Sequence, residues 1–478
     1  MSTKTTGSVA LQPEDLLPLF GQLFTRSRLK ALSQEVAPGK TRYWRILTPL
    51  IVLWGFVYQR LNKDHTCDAY SSHLHSGAVD HLDEADPHQE PLSQRLQSES
   101  NSAYVQGRNR LPLKLLQRTG QVVMQYAQEI AGEKGLWQGY RVRLLDGTTF
   151  RLPPKGDLVA TYGQNSNQHG LAYWVQVRAV LACDWFSQTV TAVSTAAYQI
   201  DETELVAQVI PQETSDAVLY VADRNFGIYR VFQTIVAYQH QGLIRLRSRQ
   251  ALALLRRTGH PVDLASDTSL TLAWLPSEKD QPFTDLPTPA IAGRFIFRRI
   301  QPPGFRPFDV YLFTTLTDEQ VYSIDALCHL YCQRWNVEVH FRHVKTALEM
   351  ESFDVQSSDL FQKELAAGLL TYNLICVLMT QAALRQNLWP HRLSFKQCTR
   401  RILDALTIGV PTHVQATGQV ADWLLNRLAK CKLPNQPNKV AHEPRKARGK
   451  PRVYPALKGD RASARQIHLL EMADAAKS

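Results

Sequence analysis

The spacing of apolar residues changes near residue 140 and divides the chain into two kinds of structure. Before this point apolar residues recur every three or four positions, as at Leu29, Leu32 and Val36, which predicts helices. Further helices are predicted over 46–60 and 113–129. We therefore expect residues 1–130 to form an α-helical N-terminal domain.

After residue 140 the pattern becomes typical of an α/β fold. Apolar or alternating runs predict strands at 141–146, 171–183, 189–195, 218–223 and 243–248. Helical patterns at 202–210 and 226–242 separate the last of these strands, and Gly242 is expected to end the second helix. This order predicts a mixed sheet flanked by helices.

Residues 249–318 interrupt that pattern with short β-rich runs between Pro, Gly and Asp turns, which predicts a small antiparallel insertion. A helix is expected to begin near Ser323, and a second, buried helix is expected over 363–385. After the helical N-terminus we expect four further parts: 131–248, the first part of the α/β domain; 249–318, the β-rich insertion; 319–415, the second part of the α/β domain; and 416–478, a basic C-terminal region and arm.

The charge favours a polyanionic partner, most often nucleic acid. The 478 residues carry a formal net charge of +11. Residues 427–478 contain thirteen Lys and Arg against four Asp and Glu, so this region holds most of the excess. A merely basic protein without such a partner is the alternative.

Cysteine usage and hydropathy indicate a reducing compartment and no membrane partner. The seven cysteines contain no CxxC pair, so unpaired thiols are expected. The apolar runs at 46–58 and 369–384 are short or interrupted by polar residues, and both are interpreted as buried helices. The N-terminus has no signal-peptide pattern.

Four residues in the stretch YCQRWNVEVHFRHVK carry candidate chemistry. Tyr331, Arg334, Glu338 and Lys345 are spaced by three, four and seven positions, which would keep them on one stripe of an α-helix. A carboxylate in such a stripe can hold a divalent cation, and the flanking donors can hold phosphates.

Two further acids end predicted strands, Asp146 in LLDGTTF and Asp223 in VLYVADRNFG. An acid that follows a buried strand can project from a rigid edge into a cleft. The alternative is that each aspartate only begins a turn, where this residue is favoured. Three carboxylates from separate elements could converge on two Mg²⁺ ions, which prefer oxygen ligands.

On these motifs the chain resembles the DDE-type insertion-sequence transposases of the IS4 family. The segments at 364–375 and 450–458 also fit the resemblance, which extends over roughly 40–460. It implies an RNase H-like fold for the α/β domain and assigns Asp146, Asp223 and Glu338 as metal ligands. It also implies that Tyr331, Arg334 and Lys345 hold DNA phosphates.

Two more arginines, Arg224 beside Asp223 and Arg342 beside the glutamate, are further candidates for DNA contact. The resemblance implies that residues 1–130 bind the terminal inverted repeats.

The function expected from this resemblance is DNA transposition: cleavage at transposon ends and strand transfer into target DNA. Two Mg²⁺ ions, or Mn²⁺ in their place, would take part in the cleavage and strand transfer. The protein would act as a homodimer on paired transposon ends. Its location would be the bacterial cytoplasm, at the nucleoid. Two alternatives stay open. One is a nuclease or domesticated recombinase that cuts without integrating, and the other is an inactive relative that only binds DNA.

Overall fold

The computed structural model describes most of the chain, with gaps. The described residues are 19–20, 23–36, 46–62, 64–83, 90–167, 170–277, 280, 289–300, 308–335, 343–407, 419–434 and eight residues within 460–470. The chain forms two compact units. Met1–Arg299 and Asp309–Pro434 make up the first, and Ile300–Phe308 with Asn435–Ser478 the second.

The regular secondary structure among the described residues before 137 is helical, as predicted. The helices there are α1 Arg26–Val36, α2 Pro49–Leu61, α3 Cys67–His75, α4 Leu92–Arg95, α5 Ser102–Arg110 and α6 Leu113–Ala131. Helix α2 begins where the Thr48 hydroxyl accepts a hydrogen bond from the Ile51 amide, with Pro49 at its first position. That these helices act as a domain of their own stays a prediction.

In the described part of the chain one eight-stranded sheet dominates, beside a two-stranded hairpin formed by β2 and β3. The strands are β1 Arg141–Leu152, β2 Ser166–Asn167, β3 Gly170–Leu171, β4 Val175–Asp184, β5 Val190–Ala197, β6 Val218–Ala222, β7 Gln241–Arg245, β8 Thr268–Trp274, β9 Ile291–Ile300 and β10 Phe308–Thr314. The order across the large sheet is β5-β4-β1-β6-β7-β10-β9-β8. The predicted mixed α/β sheet is confirmed.

Strands β1, β6 and β7 form the parallel centre of the sheet, and antiparallel strands flank them on both sides. The remaining α-helices are α7 Leu158–Tyr162, α8 Glu202–Val209, α9 Tyr229–Ala237, α10 Ser248–Arg257, α11 Ile324–Cys332, α12 Ser358–Arg385, α13 Phe395–Thr407 and α14 Val420–Ala429. Apolar residues of α8, α9 and α10 share one buried cluster with residues of the central strands. Helix α12 packs against α2, α6 and α14.

Helix α12 is the one described helix long and apolar enough to cross a membrane, and 89% of its most apolar window is buried inside the protein. This burial supports the prediction that its apolar run belongs to the core. All seven cysteines are free thiols, also as expected.

The structure corrects two boundaries. Gly242 does not end a helix; it lies in β7, where a Cβ would come within 2.8 Å of the Phe232 ring. Helix α9 ends at Ala237, and Gln239 supplies the left-handed conformation at φ +59°. Residues 248–257, assigned from the sequence to a strand end and the insertion, form helix α10, whose apolar residues at positions i, i+3 and i+4 are buried. The insertion strands extend the central sheet from β7.

Candidate metal and DNA site

Asp146 lies in β1, and Asp223 directly follows β6, the parallel neighbour of β1. The register pairs Leu145 of β1 with Ala222 of β6, so the next residue on each chain is an aspartate. Adjacent strands are about 4.8 Å apart, which places the two backbones close together. The sequence pattern of an apolar run ending in an acid therefore marked two points that the sheet brings side by side.

Backbone amides orient both carboxylates. The Gly147 amide donates to Asp146 Oδ1 at 2.8 Å, and the Asn225 amide donates to Asp223 Oδ1 at 2.8 Å. The second bond closes a tight turn directly after β6, whereas β1 continues to Leu152 against β4. Asp146 thus sits on a strand that is held on both sides up to this point.

Arg334 lies against Asp146. Its Nη1 is 3.7 Å from Asp146 Oδ2, and the arginine side chain is only 5% exposed, compared with 20% for the aspartate. A buried cation at this distance attracts the negative charge of a carboxylate. The guanidinium also hydrogen-bonds the Tyr331 side chain.

Tyr331 is buried beside Asp223. Burial raises the pKa of its phenol, Arg334 and Arg245 oppose that rise, and the charge of Asp223 adds to it. The hydroxyl therefore stays protonated and can donate a hydrogen bond near neutral pH.

Lys345 lies on the same face of β1 as Asp146. Its Nζ is 5.9 Å from the centre of the Phe150 ring, and Phe150 is four residues beyond Asp146, at a position that faces the same side of the strand. Burial lowers the pKa of this lysine, Glu351 opposes the change, and Arg151 adds to it.

The single α-helical stripe assumed for the four-residue motif is not what the described residues show. Helix α11 begins after Ser323, as predicted, and ends at Cys332. Arg334 lies in the 3₁₀ turn Gln333–Trp335, and Lys345 lies in the π-helical turn His343–Ala347. Changes of this kind in helix geometry occur frequently at functional sites.

Two predicted site residues, Glu338 and Arg342, lie outside the described residues. Arg224 is exposed next to Asp223. Among the described residues, no three His, Cys, Asp or Glu side chains form a group that could hold a metal ion. The two aspartates nevertheless offer the hard oxygen donors that Mg²⁺ prefers, so the residues present fit such an ion.

One acid near the site was missed from the sequence. Glu202, the first residue of α8, accepts a hydrogen bond from Asn225 Nδ2 at 2.9 Å and lies against Gly147. No motif in DETEL marks it, because it reaches the site only through the packing of α8 behind β1.

Comparisons with known proteins place the chain among transposases. Residues 137–374 match the family model described as a transposase DDE domain. The chain is 24% identical over 314 residues to the transposase InsG for insertion sequence element IS4 of Escherichia coli (strain K12), covering 64% of this chain and 67% of that protein.

The chain also resembles a solved structure, the cryo-EM structure of the piggyBac transposase synaptic complex with hairpin DNA. The TM-score is 0.40 at 11% identity, covering 88% of this chain and 86% of that one. At this level the likeness carries no argument about fold or function.

Proposed function

The chain belongs to the DDE transposases of the IS4 type, and from this premise we propose that its site cuts DNA at transposon ends and joins the freed 3′-hydroxyl to target DNA. The observation that carries the proposal is that Asp146 and Asp223 each directly follow the last paired residues, Leu145 and Ala222, of two adjacent parallel strands. The buried Arg334 beside Asp146 supports it.

Asp146, Asp223 and Glu338 are the proposed metal ligands. Glu338 is four residues beyond Arg334 in the sequence, and Arg334 contacts Asp146. Two Mg²⁺ ions, or Mn²⁺ in their place, would activate the attacking hydroxyl or water and stabilise the leaving oxygen. The protein contributes the rigid placement of the ligands.

The remaining motif residues are proposed to hold the DNA backbone. Arg334, whose Nη1 lies 3.7 Å from Asp146 Oδ2, is proposed to hold a DNA phosphate beside this carboxylate. The protonated Tyr331 hydroxyl donates to a phosphate oxygen, and Lys345 supplies a charge further along β1. Arg224 and Arg342 are proposed as additional phosphate contacts.

DNA binding beyond the site is assigned to the two ends of the chain. Residues 1–130 are proposed to recognise the terminal inverted repeats, and the basic region 416–478 to contact phosphates in a salt-sensitive, sequence-independent way. An RNase H-like organisation of 131–248 and 319–415, a homodimer on paired ends and action at the bacterial nucleoid complete the proposal.

The test uses full-length protein, a labelled terminal repeat and a target plasmid. We expect metal-dependent nicking followed by joining, and loss of both by at least about 10³-fold in Asp146→Asn and Asp223→Asn, with end binding retained. Glu204→Gln, an exposed acid on α8, is the control and should keep full activity.

Three results would count against the proposal. Cleavage that survives in both aspartate variants would remove these residues from the chemistry. Nicking without any joining would favour the nuclease alternative, and end binding without nicking would favour the inactive relative.

A further inference from the structure

Glu202 lies directly behind the strand that carries Asp146. A Cβ built on Gly147 would come within 2.3 Å of Glu202 Cδ and within 2.6 Å of both carboxylate oxygens. The carboxylate therefore packs against the bare backbone of Gly147, an approach that a side chain at position 147 would block. Because successive strand residues face opposite sides, Glu202 is on the side of β1 opposite to Asp146.

Glu202 also connects to the turn that carries Asp223. Asn225 Nδ2 donates to Glu202 Oε2 at 2.9 Å, and the Asn225 backbone amide donates to Asp223 Oδ1 at 2.8 Å. Arg247 donates to Asn225 Oδ1 at 2.6 Å and fixes the other end of that side chain. A chain of contacts thus runs from β1 through Glu202 and Asn225 to the Asp223 carboxylate.

This position is electrostatically unfavourable for a carboxylate. Burial raises the pKa of Glu202, Arg178 and Asn225 oppose the rise, and the nearby charges of Asp201 and Asp223 add to it. Its neighbour Glu204 lies in the same helical turn but is exposed to solvent. An acid that served only the positive end of the helix dipole would not need this half-buried place against the backbone of β1.

Resting on the proposed function, we propose that Glu202 is a positioning residue: it holds Asn225 and so fixes the turn that presents the Asp223 carboxylate beside Asp146. Glu202 contacts neither DNA nor the reacting atoms in this role. The required property is a hydrogen-bond acceptor at this point, which glutamine retains and alanine lacks.

The first measurement is hydrogen–deuterium exchange of the full chain without metal or DNA. In Glu202→Ala the amides of Asn225 and Phe226 should exchange about tenfold faster, while those of β6 stay unchanged. Glu202→Gln should stay within about threefold of the parent protein, and Glu204→Ala should have no effect. Gly147→Ala, whose new methyl group displaces the carboxylate, should reproduce the Glu202→Ala result and add little to it in the double variant.

The second measurement is metal-dependent nicking of the labelled end. Glu202→Ala should lower the rate about tenfold or more at saturating Mg²⁺ with end binding unchanged, and Glu202→Gln should restore it to within about threefold. A glutamine variant as slow as the alanine variant would overturn the proposal, because charge rather than positioning would then matter. Unchanged exchange at Asn225 in Glu202→Ala would also overturn it. A parent protein that does not nick would refute the proposed function alone, since exchange is read without cleavage.

Discussion

A buried ion network at Arg143 supports the strand that carries Asp146, and removing the arginine should destabilise the protein by about 3–5 kcal/mol. The Arg143 side chain is 0% exposed, and its Nη1 and Nε each lie 2.6 Å from a carboxylate oxygen, of Asp184 and Glu213 respectively. Those carboxylates are 3% and 2% exposed. Arg143→Met would leave both of them buried without their shared cation.

The same strand provides a matched control. Arg151 Nη1 lies 3.4 Å from Glu351 Oε1, but these side chains are 52% and 61% exposed. An exposed pair of this kind contributes less than about 1 kcal/mol, so Arg151→Met should leave the stability nearly unchanged. Urea denaturation of the two variants beside the parent protein gives the comparison.

The pH dependence gives the prediction a second check. Burial raises the pKa of Glu213, but Arg143 and other donors outweigh it, so the folded pKa is lowered. This stabilisation is present above the unfolded pKa and is lost as the pH falls through the folded pKa. In Arg143→Met the effect of burial dominates, so the folded pKa of Glu213 rises above its unfolded value. The loss in free energy of unfolding caused by the substitution should therefore be larger at about pH 7.5 than at about pH 5. If Arg143→Met lowers the free energy of unfolding by less than about 1 kcal/mol, or if its loss becomes larger as the pH falls, this account of the network is refuted.

Three further predictions concern the site and the core. Tyr331→Phe keeps the ring but removes the hydroxyl, and should slow nicking about tenfold with an unchanged melting temperature; an unaltered rate would exclude the hydroxyl from the reaction. Lys345→Met should reduce the salt dependence of end binding by about one phosphate contact, whereas Lys345→Arg should preserve it; equal slopes for both variants would contradict the phosphate contact. Gly242→Ala places a methyl group 2.8 Å from a buried ring and should cost about 1–3 kcal/mol in thermal denaturation. Gly120→Ala, in helix α6 with nothing within 4 Å of the new atom, should instead stabilise by about 0.5–1 kcal/mol, and the opposite order would show that packing at Gly242 is not the cause.

The strands that carry the two aspartates could be predicted because burial leaves a local signature. The run VLYVA is buried at every position in β6, and the strand ends where Asp223 begins a turn. Helix α12 left an equally clear signal, although it begins five residues earlier than its apolar pattern indicated, at the Ser357 cap. In both cases neighbouring residues in the sequence share one environment.

Pairing between distant segments left no such signal. The insertion strands have the same alternating pattern whether they form a separate sheet or extend the central one, and the choice depends on the hydrogen bonds that β10 makes to β7. Glu202 is 55 positions from Gly147 in the sequence and reaches it only through the docking of α8. Arg334 is likewise buried beside Asp146, a contact that the spacing of a helical motif does not contain.

The attachment of β10 to β7 has a consequence for shortened copies of the gene. A frameshift that stopped translation before residue 249 would yield a polypeptide whose β7 has no neighbour on one side, and its row of unpaired amide and carbonyl groups would recruit the same strand from another molecule. Such a product would aggregate and would not compete with the full-length protein.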